Sequence, residues 1–444
     1  MTWCIRGSVN ASTQKVGELV DHLFRREAGR ITSRLARVFG ARRLDLVEDA
    51  VQFALLQALE HWAFAEIPDN PHAWLTRVAS NRALDTIRAE RNLRSIDADD
   101  ESTLSEVEAL SVGDAATEKK YPSEVSDDQL ALMFVCCHPA LPHPARVALT
   151  LKAVCGFGVT EIARAFLSNE SSVAQRLVRA KRLIREQHIG FQIPAPEALP
   201  ERLQSVLEVL YALFTEGYAP TCGEDLLNTD MCEEAIRLTT LLADNATTTS
   251  LQCHALLALM LFQSARAASR VDTAGELLLL ERQPRESWNR PMIALGMLHL
   301  QRAGRGDRLT PFHIEAEIAV IHASAADAHS TTWPSILALY DQLLTMRSTP
   351  VVLIKRAIVL SQVQGPAAAL TALEQVKPHA SSERYPFLPM AQGEFLRALG
   401  RSDEAARCFE QALLLARTEP ERRFIRHKLN SLEHARERRS SCTS

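Results

Sequence analysis

The chain has 444 residues, 46% hydrophobic and 23% charged, with a formal net charge of −4. That length exceeds one ordinary core and points to roughly two to four domains of a globular protein. The longest apolar run, Ala255 to Phe262, is far too short for a membrane span, and the first residues lack the apolar segment of a secretory signal.

Nine cysteines, an odd number without metal-ligand spacing, predict free thiols in a reducing cytoplasm. Charge is unevenly distributed. Met1 to Arg94 carries 14 Lys/Arg against 11 Asp/Glu, Ser95 to Asp128 carries 2 against 11, and Gln129 to Gln187 carries 8 against 3. Two basic segments flank an acidic one, and it is the local field that decides which surface meets phosphate.

Helical periodicity dominates the chain and no sheet-forming run is present, so an all-α fold is expected. Val47, Val51, Leu55, Leu59 and Trp62 form an apolar stripe, with Asp49 and Gln52 exposed beside it. The prolines of Pro68-Asp69-Asn70-Pro71 close a loop, Phe64 to Pro71. The next helix, from about His72 to Arg88, buries Leu75, Ala79, Ala83 and Ile87. Arg77, Asn81, Asp85 and Arg88 line another face; that stripe is suited to bases and phosphates, but such a pattern taken alone is usually a solvated surface. Ser95 to Asp128, polar and acidic, reads as a flexible linker.

The second basic segment has the form of a helix-turn-helix. Thr160 is placed to cap a short helix, Glu161 to Leu167, and Ser168-Asn169-Glu170 gives a turn of the right length. A second helix begins near Ser171, with Ser172 and Gln175 fitting a capping box. Val173, Leu177, Ala180 and Ile184 face inward, while Ser172, Gln175, Arg176, Arg179 and Arg182 collect on the opposite sector. Hydrogen-bonding groups near the N-terminus and guanidinium groups beyond are what a major-groove recognition helix needs.

Prolines at 194, 196 and 200 end this segment, and helix is expected again from about Glu201 to Arg436. Gly393, Gly400, Ala405, Phe409 and Ala412 sit where tetratricopeptide repeats place small and aromatic residues. Thirty-six positions earlier stand Ala357, Gln364, Ala369, Leu373 and Val376, a pattern that helical hairpins or an irregular bundle both satisfy. Glu276, Glu281, Arg282, Arg285 and Trp288 form a candidate regulatory surface for a protein or small-molecule effector. Cys136-Cys137-His138 and the set His313, Glu315, Glu317, His322 lack ligand geometry, so no metal, cofactor or catalytic site is expected.

Val47-Glu48-Asp49-Ala50-Val51-Gln52, followed by Ala73 to Asp85, resembles the second conserved region of extracytoplasmic-function sigma factors. Gly156 to Ile184 resembles their fourth region. Phe134 to Leu141, Phe214-Thr215-Glu216-Gly217-Tyr218 and Gly275 to Glu281 resemble the subgroup with a long helical C-terminal extension. The resemblance implies a non-enzymatic cytoplasmic subunit that binds RNA polymerase core and promoter DNA, with no membrane association. It implies sigma region 2 at 12–94, an acidic linker at 95–128, sigma region 4 at 129–192 and a tetratricopeptide-like regulatory domain at 201–436.

By position, Asp49 and Gln52 contact the clamp helices of the largest polymerase subunit, and region 4 meets the flap of the second. Asp69, Asn70, Arg77, Asn81, Asp85 and Arg88 engage the −10 element. Ser172, Gln175, Arg176, Arg179 and Arg182 read the −35 element. Ser168-Asn169 and Ser171-Ser172 depart from the subgroup's usual residues, which leaves the −35 sequence open. A helix-turn-helix regulator that never binds core polymerase is the alternative, and it leaves the Asp49/Gln52 helix unexplained.

Overall fold

The computed structural model describes residues 27–62, 68–93, 122–166, 168–220, 226–272, 277–305, 309–376, 386–416 and 418–442. The described residues are predominantly helical, with an isolated β-bridge, Val271 to Leu277, and no extended strand among them. The chain divides into two compact units, Met1–Leu213 and Phe214–Ser444.

The first unit opens with α1 (27–39), a 3₁₀ turn at Ala41–Arg43, α2 (Leu44–Trp62) and α3 (Pro71–Leu93). Ile31, Leu35, Val47, Val51, Leu75, Ala79, Ala83 and Ile87 make their common core. The expected stripe on α2 is corrected at its C-terminal half. Leu59 is 52% exposed, and the buried line runs through Ala54 and Ala58 instead. Positions 47, 51, 54 and 58 hold one helical face, whereas 59 has rotated off it.

Helix α4 (Pro122–Cys136) begins inside the segment expected to be linker. Asp128 is buried and its Oδ1 lies 3.4 Å from Nε of Arg37, an ion pair that sequence polarity cannot reveal. Residues 94–121 lie outside the described residues. Helix α5 (His143–Leu149) continues through a π-helical turn, Thr150–Val154. Gly29 of α1 approaches that turn so closely that a Cβ would stand 1.9 Å from the carbonyl oxygen of Val154. Helices α6 (Val159–Ala165) and α7 (Glu170–Glu186) complete the helix-turn-helix.

Helix α8 (Leu199–Tyr218) spans the division between the units. The second unit continues with α9 (Thr229–Asp244), α10 (Leu251–Ser264), α11 (Arg290–Ala303), α12 (Pro311–Ser324) and α13 (Trp333–Met346). Every residue of α10 from Cys253 to Phe262 is buried, so it is the central helix that others surround.

Two helical hairpins follow: α14 (Pro350–Gln364) with α15 (Pro366–Ala372), and α16 (Phe387–Ala398) with α17 (Ser402–Leu415). Helix α18 (Glu419–Cys442) packs on the last of these. A Cβ on Gly393 would meet the Phe409 ring at 2.7 Å, so the small residue is there to admit the aromatic one. Both turns carry a left-handed glycine, Gly365 at φ +88° and Gly400 at φ +76°. The counterpart of Gly400 is therefore Gly365, one residue from the expected Gln364, which is exposed at the end of α14.

Candidate nucleic-acid interface

Asp49 and Gln52 are exposed on α2, as expected. They border a groove of about 330 Å³ that Leu46, Phe53, Leu56, Arg82 and Thr86 also line. The Arg82 guanidinium lies 4.9 Å from the centre of the Phe53 ring. Phe53 and Leu56 are 36% and 59% exposed, so the acidic and amide groups sit on a partly apolar surface. The sequence reading missed both; their signal was apolar side chains at spacings of three and four on the polar face.

On α3 the side chains of Arg77, Asn81, Asp85 and Arg88 are exposed on one face. Asp85 and Arg88 approach each other at 3.5 Å. Asp69 is exposed just before the start of α3, whereas the Asn70 carboxamide oxygen accepts the Ala73 N–H at 3.0 Å and caps the helix. Part of the hydrogen-bonding capacity assigned to bases at Asn70 is thus committed to the helix start. The loop's first half, residues 63–67, lies outside the described residues.

In the helix-turn-helix the caps differ from expectation. Helix α6 starts at Val159, and Glu161 reaches back so that its Oε2 accepts the Gly158 N–H at 2.7 Å. Asn169, not Ser172, is the N-cap of α7: its Oδ1 accepts the Ser172 N–H at 2.7 Å and the Ser171 hydroxyl at 2.9 Å. The asparagine lies one helical turn before the serine that the capping-box pattern favoured, so the N–H it satisfies is that of Ser172 itself, and the helix starts a turn earlier. The Ser172 and Gln175 side chains are thereby released from capping.

Val173, Leu177, Ala180 and Ile184 are buried as expected, and Gln175, Arg176, Arg179 and Arg182 are exposed. Val178, missed by the sequence reading, is 61% exposed between them and offers an apolar contact of the kind thymine methyl groups take. Arg182 is tied to Glu186 by a 2.6 Å hydrogen bond, which leaves it less free than Arg176 and Arg179.

The other flank of α7 faces α2. Lys181 Nζ lies 2.9 Å from Asp45 Oδ1 and 2.8 Å from Glu48 Oε2, and Arg185 Nη1 lies 2.6 Å from Asp45 Oδ2. Burial opposes the Asp45 charge, but the hydrogen bonds and charges of Lys181 and Arg185 outweigh it and hold the carboxyl below its ordinary value. Burial likewise opposes the Lys181 charge, and Glu48 and Asp45 overcome it, raising the ammonium above its ordinary value. Ion pairs therefore bridge the two small domains one helix turn from Asp49, in addition to the packing of Gly29 on the π-helical turn.

The expected regulatory surface does not form one exposed patch. Glu281 and Arg282 are exposed, and Glu281 accepts a 3.1 Å hydrogen bond from Gln362. Arg285 and Trp288 are 6% and 3% exposed. Arg285 is drawn inward because its guanidinium donates to the carbonyls of His322 and Ala325 and to the Thr331 hydroxyl. Glu276 lies outside the described residues.

Exposed basic side chains on a capped recognition helix, joined to a second helical domain with its own polar faces, define a promoter-recognition protein. Residues 23–93 match the family model for sigma-70 region 2 and residues 131–184 that for sigma-70 region 4. Residues 202–304 match a family of unknown function, DUF6596. An uncharacterised protein of Rhizobium meliloti (strain 1021) is 37% identical over 391 residues, covering 88% of this chain and 91% of that protein. The chain belongs to the sigma-70 family, as an extracytoplasmic-function-type sigma factor with a helical C-terminal extension. Among the described residues, no helix is long and apolar enough to cross a membrane.

Proposed function

We propose that the chain docks on RNA polymerase core through the α2 groove around Asp49, Gln52, Phe53 and Leu56, and directs initiation at specific promoters. The observation that carries this reading is the division of exposed surfaces in the first unit: an acidic-apolar groove on α2, a mixed polar face on α3 and a basic face on α7. In this reading the groove takes the clamp helices of the largest subunit, while region 4 takes the flap of the second. Asp69, Arg77, Asn81, Asp85 and Arg88, with the remaining capacity of Asn70, engage the −10 element. Ser172, Gln175, Arg176, Arg179 and Arg182 read the −35 element as duplex. The C-terminal unit governs when these contacts are made.

The Lys181–Asp45–Glu48 contact bears on the mechanism. Elements 25 positions apart stand roughly 85 Å apart at ~3.4 Å per base pair. A compact unit of about 213 residues has a radius of gyration near 17 Å and does not span that distance. Promoter engagement therefore separates the two small domains. The ~28 residues at 94–121 reach roughly 95 Å at full extension, enough to permit it.

Run-off transcription from a genomic promoter library, with purified core polymerase, tests the reading. Defined start sites appear only when the full chain is added. Replacing Asp49 and Gln52 by Ala weakens core binding without changing affinity of the free chain for promoter duplex. If the chain binds DNA but produces no transcripts, and the double variant behaves as the parent, the protein is instead a regulator that never contacts core.

A further inference from the structure

The second unit gathers three guanidinium groups, those of Arg266, Arg270 and Arg285. Among the described residues none of the three has a carboxylate oxygen within 4.0 Å. Arg266 and Arg270 follow the end of α10, and their guanidinium carbons lie 5.6 and 4.2 Å from the centre of the Tyr218 ring. Arg285 lies 5.1 Å from the ring of Trp288. The two segments are tied together by a 2.7 Å hydrogen bond between the Ser269 and Ser287 hydroxyls, and by the Asn289 N–H donated to the Ala265 carbonyl at 2.8 Å. Arg266 acts electrostatically on Arg270, on Arg285 and on His322, so these groups form one cluster.

A partly buried guanidinium without a counter-charge is costly. Two of the three have partial compensation from helix C-termini, which carry negative partial charge. Arg270 donates to the Tyr218 carbonyl at the end of α8. Arg285 donates to the His322 and Ala325 carbonyls at the end of α12. The carboxylate that acts on Arg285, Asp327, is at the surface, where its Oδ1 accepts the Ser330 N–H at 2.7 Å. Arg266 has no such arrangement. Its described side-chain contact is the Tyr218 ring, although it acts on two other cations.

Polar atoms of the rings beside these arginines point to the same deficit. Tyr218 Oη, Trp288 Nε1 and His322 Nδ1 are buried without a hydrogen-bond partner, and Tyr218 as a whole is only 8% exposed. Arginine and the indole N–H only donate, and a phenol donates readily. Among the described residues, what is missing is an acceptor with negative charge. A metal ion would be repelled, and a polymer backbone does not enter among buried rings. A compact oxyanion satisfies both the charge and the donors, and the planar guanidinium fork suits two oxygens at once.

We infer that Arg266, Arg270 and Tyr218 form a binding site for the phosphate or carboxylate group of a small molecule, with Arg285 contributing field from the neighbouring segment. The inference stands on the second unit alone and does not depend on promoter recognition.

Isothermal titration of the full-length chain tests it, with inorganic phosphate and succinate as separate probes at constant ionic strength set by sodium chloride. One of the two gives a saturable single-site isotherm, and the stronger identifies the oxyanion class. Arg266→Gln weakens binding about tenfold or more, as expected for a charge-assisted contact. Tyr218→Phe, which removes one oxygen and keeps the ring, weakens it several-fold. Arg282→Gln, on an exposed arginine nearby in sequence, leaves it unchanged. Absence of a saturable isotherm with either probe overturns the site. So does parental affinity in Tyr218→Phe, a comparison that remains decisive if Arg266→Gln fails to fold.

Discussion

The arginines of the two units have opposite surroundings. On α7, Arg176 and Arg179 project into solvent from a helix whose other face is apolar. In the second unit, Arg270 and Arg285 turn inward onto helix C-termini and aromatic rings, and burial lowers both below the ordinary guanidinium value. The same residue type stays solvated in one place and anchors loops in the other. His254, His299, His313 and His322 are all packed within the second unit, and the Nδ1 atoms of His254 and His299 stand 3.0 Å apart. Such a pair needs one ring to donate and the other to accept, so it does not tolerate two protons.

The sharpest test of the division is to damage one unit and read the other. Phe409→Ala removes a fully buried ring from between α16 and α17. It costs about 3–5 kcal/mol of the second unit's stability by calorimetry, while promoter-duplex affinity of the chain stays unchanged. Loss of DNA binding in that variant would show that the units are not separable.

Acid is the next lever. Burial, reinforced by Arg266 and Arg285, lowers the His322 pKa to about 4. A group depressed in the folded state stabilises fully above its unfolded value, and that contribution is lost as pH falls through the folded one. Between pH 6.5 and about 4 the second unit therefore loses on the order of 3 kcal/mol from His322 alone, and the other depressed histidines add to the loss. In the first unit burial, with Arg202 and Arg146, also depresses His138, so some loss begins there too, but less than that from His322. The lowered carboxyls of Glu27 and Asp45 lose their contribution only below the ordinary carboxylate range. Two-transition melting across this window shows the second unit failing first. Parallel loss in both units would break the contrast.

The smallest expected effect separates exposed from anchored arginine. Arg176→Ala costs about 1–3 kcal/mol in promoter affinity if it pairs with a base edge, and relaxes specificity at that position. It leaves the melting temperature unchanged, since Arg176 has no packing role. A variant that lowers melting temperature but not promoter affinity would place Arg176 with the anchors.

Much of the recognition helix was legible beforehand because burial there follows a single periodicity. Val173, Leu177, Ala180 and Ile184 repeat at helical spacing, so the opposite face had to be exposed. The caps were less legible, because Asn169, Ser171 and Ser172 are all competent N-caps and only backbone geometry chooses among them. The Leu59 assignment failed for a related reason. A stripe drawn through every apolar residue of α2 drifts around the helix, and packing selects Ala54 and Ala58.

The amino-acid sequence by itself determined the all-α fold, the order of the two small domains and the polar faces of α2, α3 and α7, since each rests on local periodicity, proline placement and charge. Tertiary structure alone decided that Lys181 meets Asp45 and Glu48, that Asp128 is buried, and that Arg285 and Trp288 turn inward. Those outcomes join residues far apart in the chain, or trade a charge's hydration for carbonyls that only folding brings within reach.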